Sequence, residues 1–273
     1  MNVADDYYRS LIEQILSYGD LIETRNHAAY SLINTDTLVF NETPLATLRK
    51  TAWKKALREM EWFLSGDPKC PEELLDWWDG QLDSAGRYNA GYGEQLRCFG
   101  ENGFDQIENL IEGITKHPYS RRHVITTWNP YEMSIITQLN NNPRTPSCCH
   151  MTMNQYFVRE GKLHARTYQR SCDVILGCIH NWIQHWGLLL WMANQTNLEV
   201  GSLIWNFGDL HIYQEDSHLE VAEAILDTRE DDIAQRSTPK LVYTGNKVAF
   251  KADDFELHGF PEAPVSTIRP TLL

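Results

Sequence analysis

The sequence predicts one mixed α/β domain in which long helices pack against antiparallel hairpins. Three observations carry this reading. Apolar residues recur at helical spacing in several separate stretches, β-branched and aromatic runs stand between turn residues elsewhere, and the two kinds of segment do not alternate strictly along the chain. A doubly wound parallel sheet needs that strict alternation and is not expected. At 273 residues the chain can bury a substantial core, and no repeat, biased tract or linker divides it, so residues 1–273 are read as a single domain.

The elements follow in order. Tyr8, Leu11, Ile12, Ile15 and Leu16 share one helical face, and Gly19 stands where a helix would stop. Residues 51–64 predict a second helix, ended by the turn-rich Ser65-Gly66-Asp67-Pro68. Residues 104–116 put Phe104, Ile107, Leu110, Ile111 and Ile114 on one face of a third. The β-branched run from Arg121 to Trp128 is stopped by Asn129-Pro130 and predicts a strand. Residues 154–169 predict a hairpin turning at Gly161. Residues 181–195 are apolar nearly all round, which suggests a buried central helix. A strand over 200–207, a helix around His218 to Leu226 and a hairpin over 241–250 turning at Gly245 complete the set.

Composition narrows the function. A net charge of −13 argues against a nucleic-acid polymer as partner, but leaves room for a single phosphate held by a few arginines. The start, MNVADDYYRSLIEQ, has no basic segment followed by an apolar one, so no signal peptide is expected. The most apolar stretch, Trp182 to Ala193, is interrupted by Gln184 and His185 and is too short for a membrane span. Cysteines 70, 98, 148, 149, 172 and 178 form neither zinc-type pairs nor a small-scaffold disulfide pattern. Thiols in a reducing cytoplasm, with no metal and no membrane, are the expectation. The nine tryptophans and twelve tyrosines serve either core packing or stacking on planar ligands.

Cys149 precedes His150, and a cysteine beside a histidine with arginines nearby in the fold is a candidate nucleophile, although such neighbours more often pack. The surrounding motifs are more specific. YQRSCDVILG spans 168–177 and GDLHIY spans 208–213, while Glu59-x-x-Trp62-Phe63-Leu64, Tyr92-Gly93-x-Gln95 and Ser120-Arg121-Arg122 lie upstream. In this order, over nearly the whole chain, they resemble the thymidylate synthase family. The resemblance implies a mixed twisted sheet packed with long helices, one side of the sheet forming a homodimer interface.

It also implies roles. Cys149, preferred over Cys148 because it directly precedes His150, would add to carbon 6 of a pyrimidine nucleotide and make carbon 5 nucleophilic. Carbon 5 would then take a one-carbon unit from 5,10-methylenetetrahydrofolate. Arg25, Arg170 and Ser171 match phosphate-binding positions, and Arg121 and Arg122 match a pair that reaches the partner subunit's site. Asn181 matches the base-reading amide and favours uracil, where the cytidylate-modifying branch carries Asp; a helix N-cap is its ordinary reading. Glu59 and Tyr92 match residues that move protons, and His211 and Tyr213 match the pair that binds the sugar. Trp78, Asp173, Leu176, Gly177 and His180 fall on the folate side, and the tail ending in Leu273 would close over it.

Departures cluster near substrate and folate. The phosphate loop reads Arg25-Asn26-His27-Ala28-Ala29-Tyr30, without the family's glycines. Asn89-Ala90-Gly91-Tyr92-Gly93 replaces Gly-Pro-Val-Tyr-Gly, Ile179-His180-Asn181 replaces Pro-Phe-Asn, and Gln214-Glu215-Asp216 follows Tyr213. Several segments are similar to the phage deoxycytidylate hydroxymethylases, in which water captures the exocyclic methylene. Asn181 together with those surroundings points to a deoxyuridylate hydroxymethylase, with His180 helping to hold the water. Thymidylate synthesis is the close alternative, supported by Asp209 and the intact YQRSCD. A deoxycytidylate or cytidylate hydroxymethylase and a catalytically silent nucleotide-binding homologue stand further off.

Overall fold

The computed structural model describes residues 2–24, 27–78, 80–132, 148–246 and 249–260. Helix α1 (Val3–Tyr18) begins where the Asn2 side chain accepts the Ala4 N–H, and it buries Tyr8, Leu11, Ile12 and Ile15. After it come β1 (Asp20–Glu23), β2 (Ala28–Leu32) and β3 (Leu38–Phe40). Helix α2 (Trp53–Ser65) is closed by Gly66 in the left-handed region, at φ 75°, which favours glycine. Short helices α3 (Leu75–Trp78) and α4 (Tyr92–Arg97) precede α5 (Gln106–Lys116), whose N-cap Asp105 accepts the Glu108 N–H.

The sheet runs β1-β2-β7-β6-β5-β4, with β3 also on β7. Its members include β4 (Val124–Ile125), β5 (Met153–Arg159), β6 (Lys162–Asp173) and β7 (Glu199–Tyr213). The β5–β6 hairpin turns at Glu160-Gly161, both at positive φ, as expected. β6 and β7 pair in parallel while the other pairs of this sheet are antiparallel. A parallel pair needs a crossover. Here it is a π-helical turn (Val174–Cys178) running into α6 (Ile179–Gln195), the buried central helix. Helix α6 packs on α2 closely enough that a Cβ on Gly187 would lie 2.5 Å from Leu57 Cδ2. Helices α7 (Asp216–Leu226) and α8 (Glu230–Ala234) follow, then β8 (Lys240–Tyr243) and β9 (Phe255–His258). Trp182, Trp205, Tyr8 and Phe40 are fully buried at the centre.

Three expectations are corrected. The strand expected from Arg121 onward shrinks to Val124–Ile125, because its partner β5 begins only at Met153, after Met151 turns the chain at φ 56°. In place of the hairpin expected over 241–250, β8 pairs with β9 among the described residues, and Phe250 is buried against Trp191 and Phe255 as a core anchor. Asn181 is not an N-cap, since α6 starts at Ile179 and the π turn before it occupies the capping position.

Candidate active site

Cys149 enters β5 from the loop before it and is half-buried. Its thiol lies 3.6 Å from Arg170 Nη2, and the Arg170 backbone N–H donates to the Cys149 carbonyl at 2.9 Å. The guanidinium itself rests over Trp128, 4.9 Å from the ring centre. From below, Tyr92 Oη accepts the backbone N–H groups of Cys149, at 2.7 Å, and His150, at 3.3 Å. The sulfur is therefore accessible and has a cation beside it. Cys148 is the opposite case: it is fully buried, and burial pushes its thiol up to about 12. The two neighbouring cysteines therefore differ in access and in what stands beside the sulfur. All six cysteines carry thiols.

A second group of polar side chains is buried in the interior. Glu59, on the inner face of α2, accepts Trp78 Nε1–H at 2.6 Å on one oxygen and the Gln184 amide on the other. Burial raises its carboxyl to about 7 against the pull of those two donors. His150 Nδ1 meets His185 Nε2 at 3.1 Å, and His185 Nδ1 meets Thr167 Oγ1 at 3.2 Å. Burial lowers His150 to about 3, so this pair is neutral near pH 7. His180 is committed to the backbone on both sides. Its Nε2 accepts the Ala52 N–H at 3.2 Å, which leaves Nδ1 to donate to the Leu176 carbonyl at 2.8 Å. Burial lowers it to about 4.

The rim is built by β6 and β7 side by side, with Ser171 opposite Asp209 and Asp173 opposite His211. Gly208 belongs there because a Cβ would fall 2.5 Å from the Arg170 carbonyl and 2.6 Å from Tyr168 Oη. Asp209 accepts the Ser31 hydroxyl at 3.0 Å and lies 3.4 Å from His211 Nδ1. The His211 hydrogen bond, helped by Ser31 and Arg170, holds its carboxyl below the usual range. Tyr213 meets His211 edge-on at 5.0 Å. Asp173 caps the π turn: Oδ1 accepts the N–H groups of Ile175 and Leu176. Its buried Oδ2 accepts no hydrogen bond among the described residues and faces His218 Nδ1 at 3.8 Å.

The structure thus brings Arg170 to the Cys149 thiol and Tyr92 to its backbone, while Glu59 sits in a buried layer with Trp78 and Gln184. Ser171, Asp173, Leu176, Gly177, His180, Asn181, His211 and Tyr213 lie on β6, β7 and the turn and helix between them. Arg121 and Arg122 are exposed just before β4 and make no hydrogen bond or ion pair with that cluster among the described residues. Arg25 and Leu273 lie outside the described residues. Trp78 is buried against Trp62, Phe63 and Tyr88, and its half-buried neighbour Trp77 is the one that meets His180, at 5.1 Å. Gln184, His185 and His218 were not among the candidates. The first two carried a signal, being polar residues three and four positions after Asn181 on an otherwise apolar helix.

Among the described residues no group of three or more His, Cys, Asp or Glu side chains could hold a metal ion, and no helix is long and apolar enough to cross a membrane. A family model described as Thymidylate synthase matches residues 6–270 of the 273. With that match covering nearly the whole chain, the chain belongs to the thymidylate synthase family of one-carbon transferases.

Proposed function

We propose that this protein transfers a one-carbon unit to carbon 5 of deoxyuridylate through a covalent adduct at Cys149. The observation that carries the reading is the contrast between the two adjacent cysteines, one beside the Arg170 guanidinium and half-buried, the other sealed and protonated. Arg170 places a cation beside the sulfur, and Tyr92 fixes the backbone from which it attacks carbon 6. Glu59, raised to about 7, exists in both protonation states near neutrality, as a group moving protons at the base needs to. Asn181 reads the 4-carbonyl and N3–H of uracil. Methylenetetrahydrofolate, when bound, supplies the one-carbon unit. Asp173 fixes the turn through the Ile175 and Leu176 N–H groups, and Leu176 and Gly177 on that turn are assigned to the folate side.

Reductive methylation to thymidylate is the outcome the geometry supports best. Hydroxymethylation needs water held at the methylene, and His180, the side chain assigned to hold it, has both ring nitrogens bonded to backbone. The hydroxymethylase-like segments NAGYG and IWNFGDLHIY keep the hydroxymethyl product as the second reading. Product analysis with deoxyuridylate and methylenetetrahydrofolate decides. Thymidylate with dihydrofolate supports the first reading, hydroxymethyldeoxyuridylate with tetrahydrofolate the second, and no turnover sinks both. Deoxycytidylate in parallel tests Asn181.

A homodimer through the outer face of the sheet is part of this proposal. Met153 and Tyr168 are paired across β5 and β6 and are 43% and 39% exposed there. Arg121 and Arg122, outside their own site, would complete the partner's. Sedimentation analysis showing a monomer at catalytic concentration would count against it.

A further inference from the structure

We propose that Gln184 is a positioning residue for the reaction, holding the Glu59 carboxyl in one orientation with a hydrogen-bond donor on each of its oxygens. Gln184 is fully buried on a helix whose neighbouring positions are Trp182, Ile183, Trp186, Leu188 and Leu189. A buried amide in such surroundings is unfavourable unless it is bonded. Its Nε2 donates both to the Ala56 carbonyl, at 3.1 Å, and to Glu59 Oε2. The Ala56 carbonyl only accepts, so the amide orientation is determined: a flipped amide would set its oxygen against both acceptors. Trp78, from the opposite side, donates to Oε1. The carboxyl is therefore gripped by two helices and cannot rotate without losing a donor.

The spacing gives the grip its meaning. Asn181 precedes Gln184 by three positions, so the base-reading amide and the acid-holding amide share one face of α6. A shift of that face moves both together, which keeps the proton-handling group in register with the base. The groups facing Glu59 from the elements around it are Gln184 on α6, Trp78 on α3, the Lys55 ammonium one turn earlier on α2, and the Cys70 thiol in the following loop. Lys55 is itself paired with Asp76, so the two neutral donors are the direct contacts.

This inference rests on Glu59 as the proton-handling residue, and its test separates the two. The Glu59 carboxyl is titrated by infrared difference spectroscopy in the ligand-free protein, with Glu59→Gln assigning the band. Gln184→Met and Gln184→Glu are compared with the parent. Losing the donor raises the midpoint by about one pH unit in Gln184→Met. It rises further in Gln184→Glu, where two carboxyls share a site. The pH profile of kcat/KM for tritium release from deoxyuridylate labelled at carbon 5 shifts by the same amount. Unmoved midpoints with a uniform loss of rate, or a moved midpoint with an unmoved rate profile, overturn the proposal. Midpoints do not depend on the fraction of variant that folds. Full activity in Glu59→Gln would instead overturn the role of Glu59 itself.

Discussion

Two regions of the site handle charge in opposite ways. In the interior, Glu59, His150, His180 and His185 are buried and desolvation governs them, raising the acid and lowering the histidines. At the rim, Asp209 keeps its charge because His211, Ser31 and Arg170 face it in partly solvated surroundings. The difference divides the labour. A neutral interior can pass protons without stranding a charge, while a charged rim can hold an anionic nucleophile and a phosphate.

The largest expected effect tests the boundary between the two regions. Cys149→Ser loses at least about a thousandfold in turnover, whereas Cys148→Ser keeps activity within about tenfold. Equal losses would break the contrast between the two thiols. Next, Glu59→Gln lowers kcat by about a hundredfold and removes one limb of the pH–rate profile.

The same substitution has a stability signature. With its carboxyl at about 7 when folded and 4.5 ordinarily, Glu59 binds its proton more tightly in the folded protein. Its contribution is complete below pH 4.5 and is lost as pH rises through 7, about 3 kcal/mol in all. Denaturant titrations at pH 4.5 and 8 should show that slope in the difference between the parent and Glu59→Gln, because the buried histidines contribute equally to both. His180 runs the other way. Lowered from 6.5 to about 4, it costs stability as pH falls between those values, again by about 3 kcal/mol, and His180→Phe should flatten that acid-side loss. The smallest effect belongs to the rim backbone: Gly208→Ala, forced against the Arg170 carbonyl, should destabilise by about 1–3 kcal/mol in thermal unfolding.

Much of this was legible in advance for local reasons. Helices α1, α2 and α5 carried their own periodicity and stop signals, and the β5–β6 hairpin carried its glycine turn. Cys149 stood out as a candidate nucleophile because ordered motifs surround it. The hairpin over 241–250 was misread because Phe250 serves a distant core instead of a local ladder, and no local pattern distinguishes the two uses.

By itself, then, the sequence determined which residues are available: one cysteine before a histidine, an acid on an amphipathic helix, an amide on an apolar one. Tertiary structure alone decided which of them are dry. Glu59 is an ordinary helix carboxylate until α6 and α3 close over it, and Cys148 differs from Cys149 only in what covers it. Desolvation depends on every atom packed around a group, most of them far off along the chain, so proton affinity becomes readable only once the fold has brought them together.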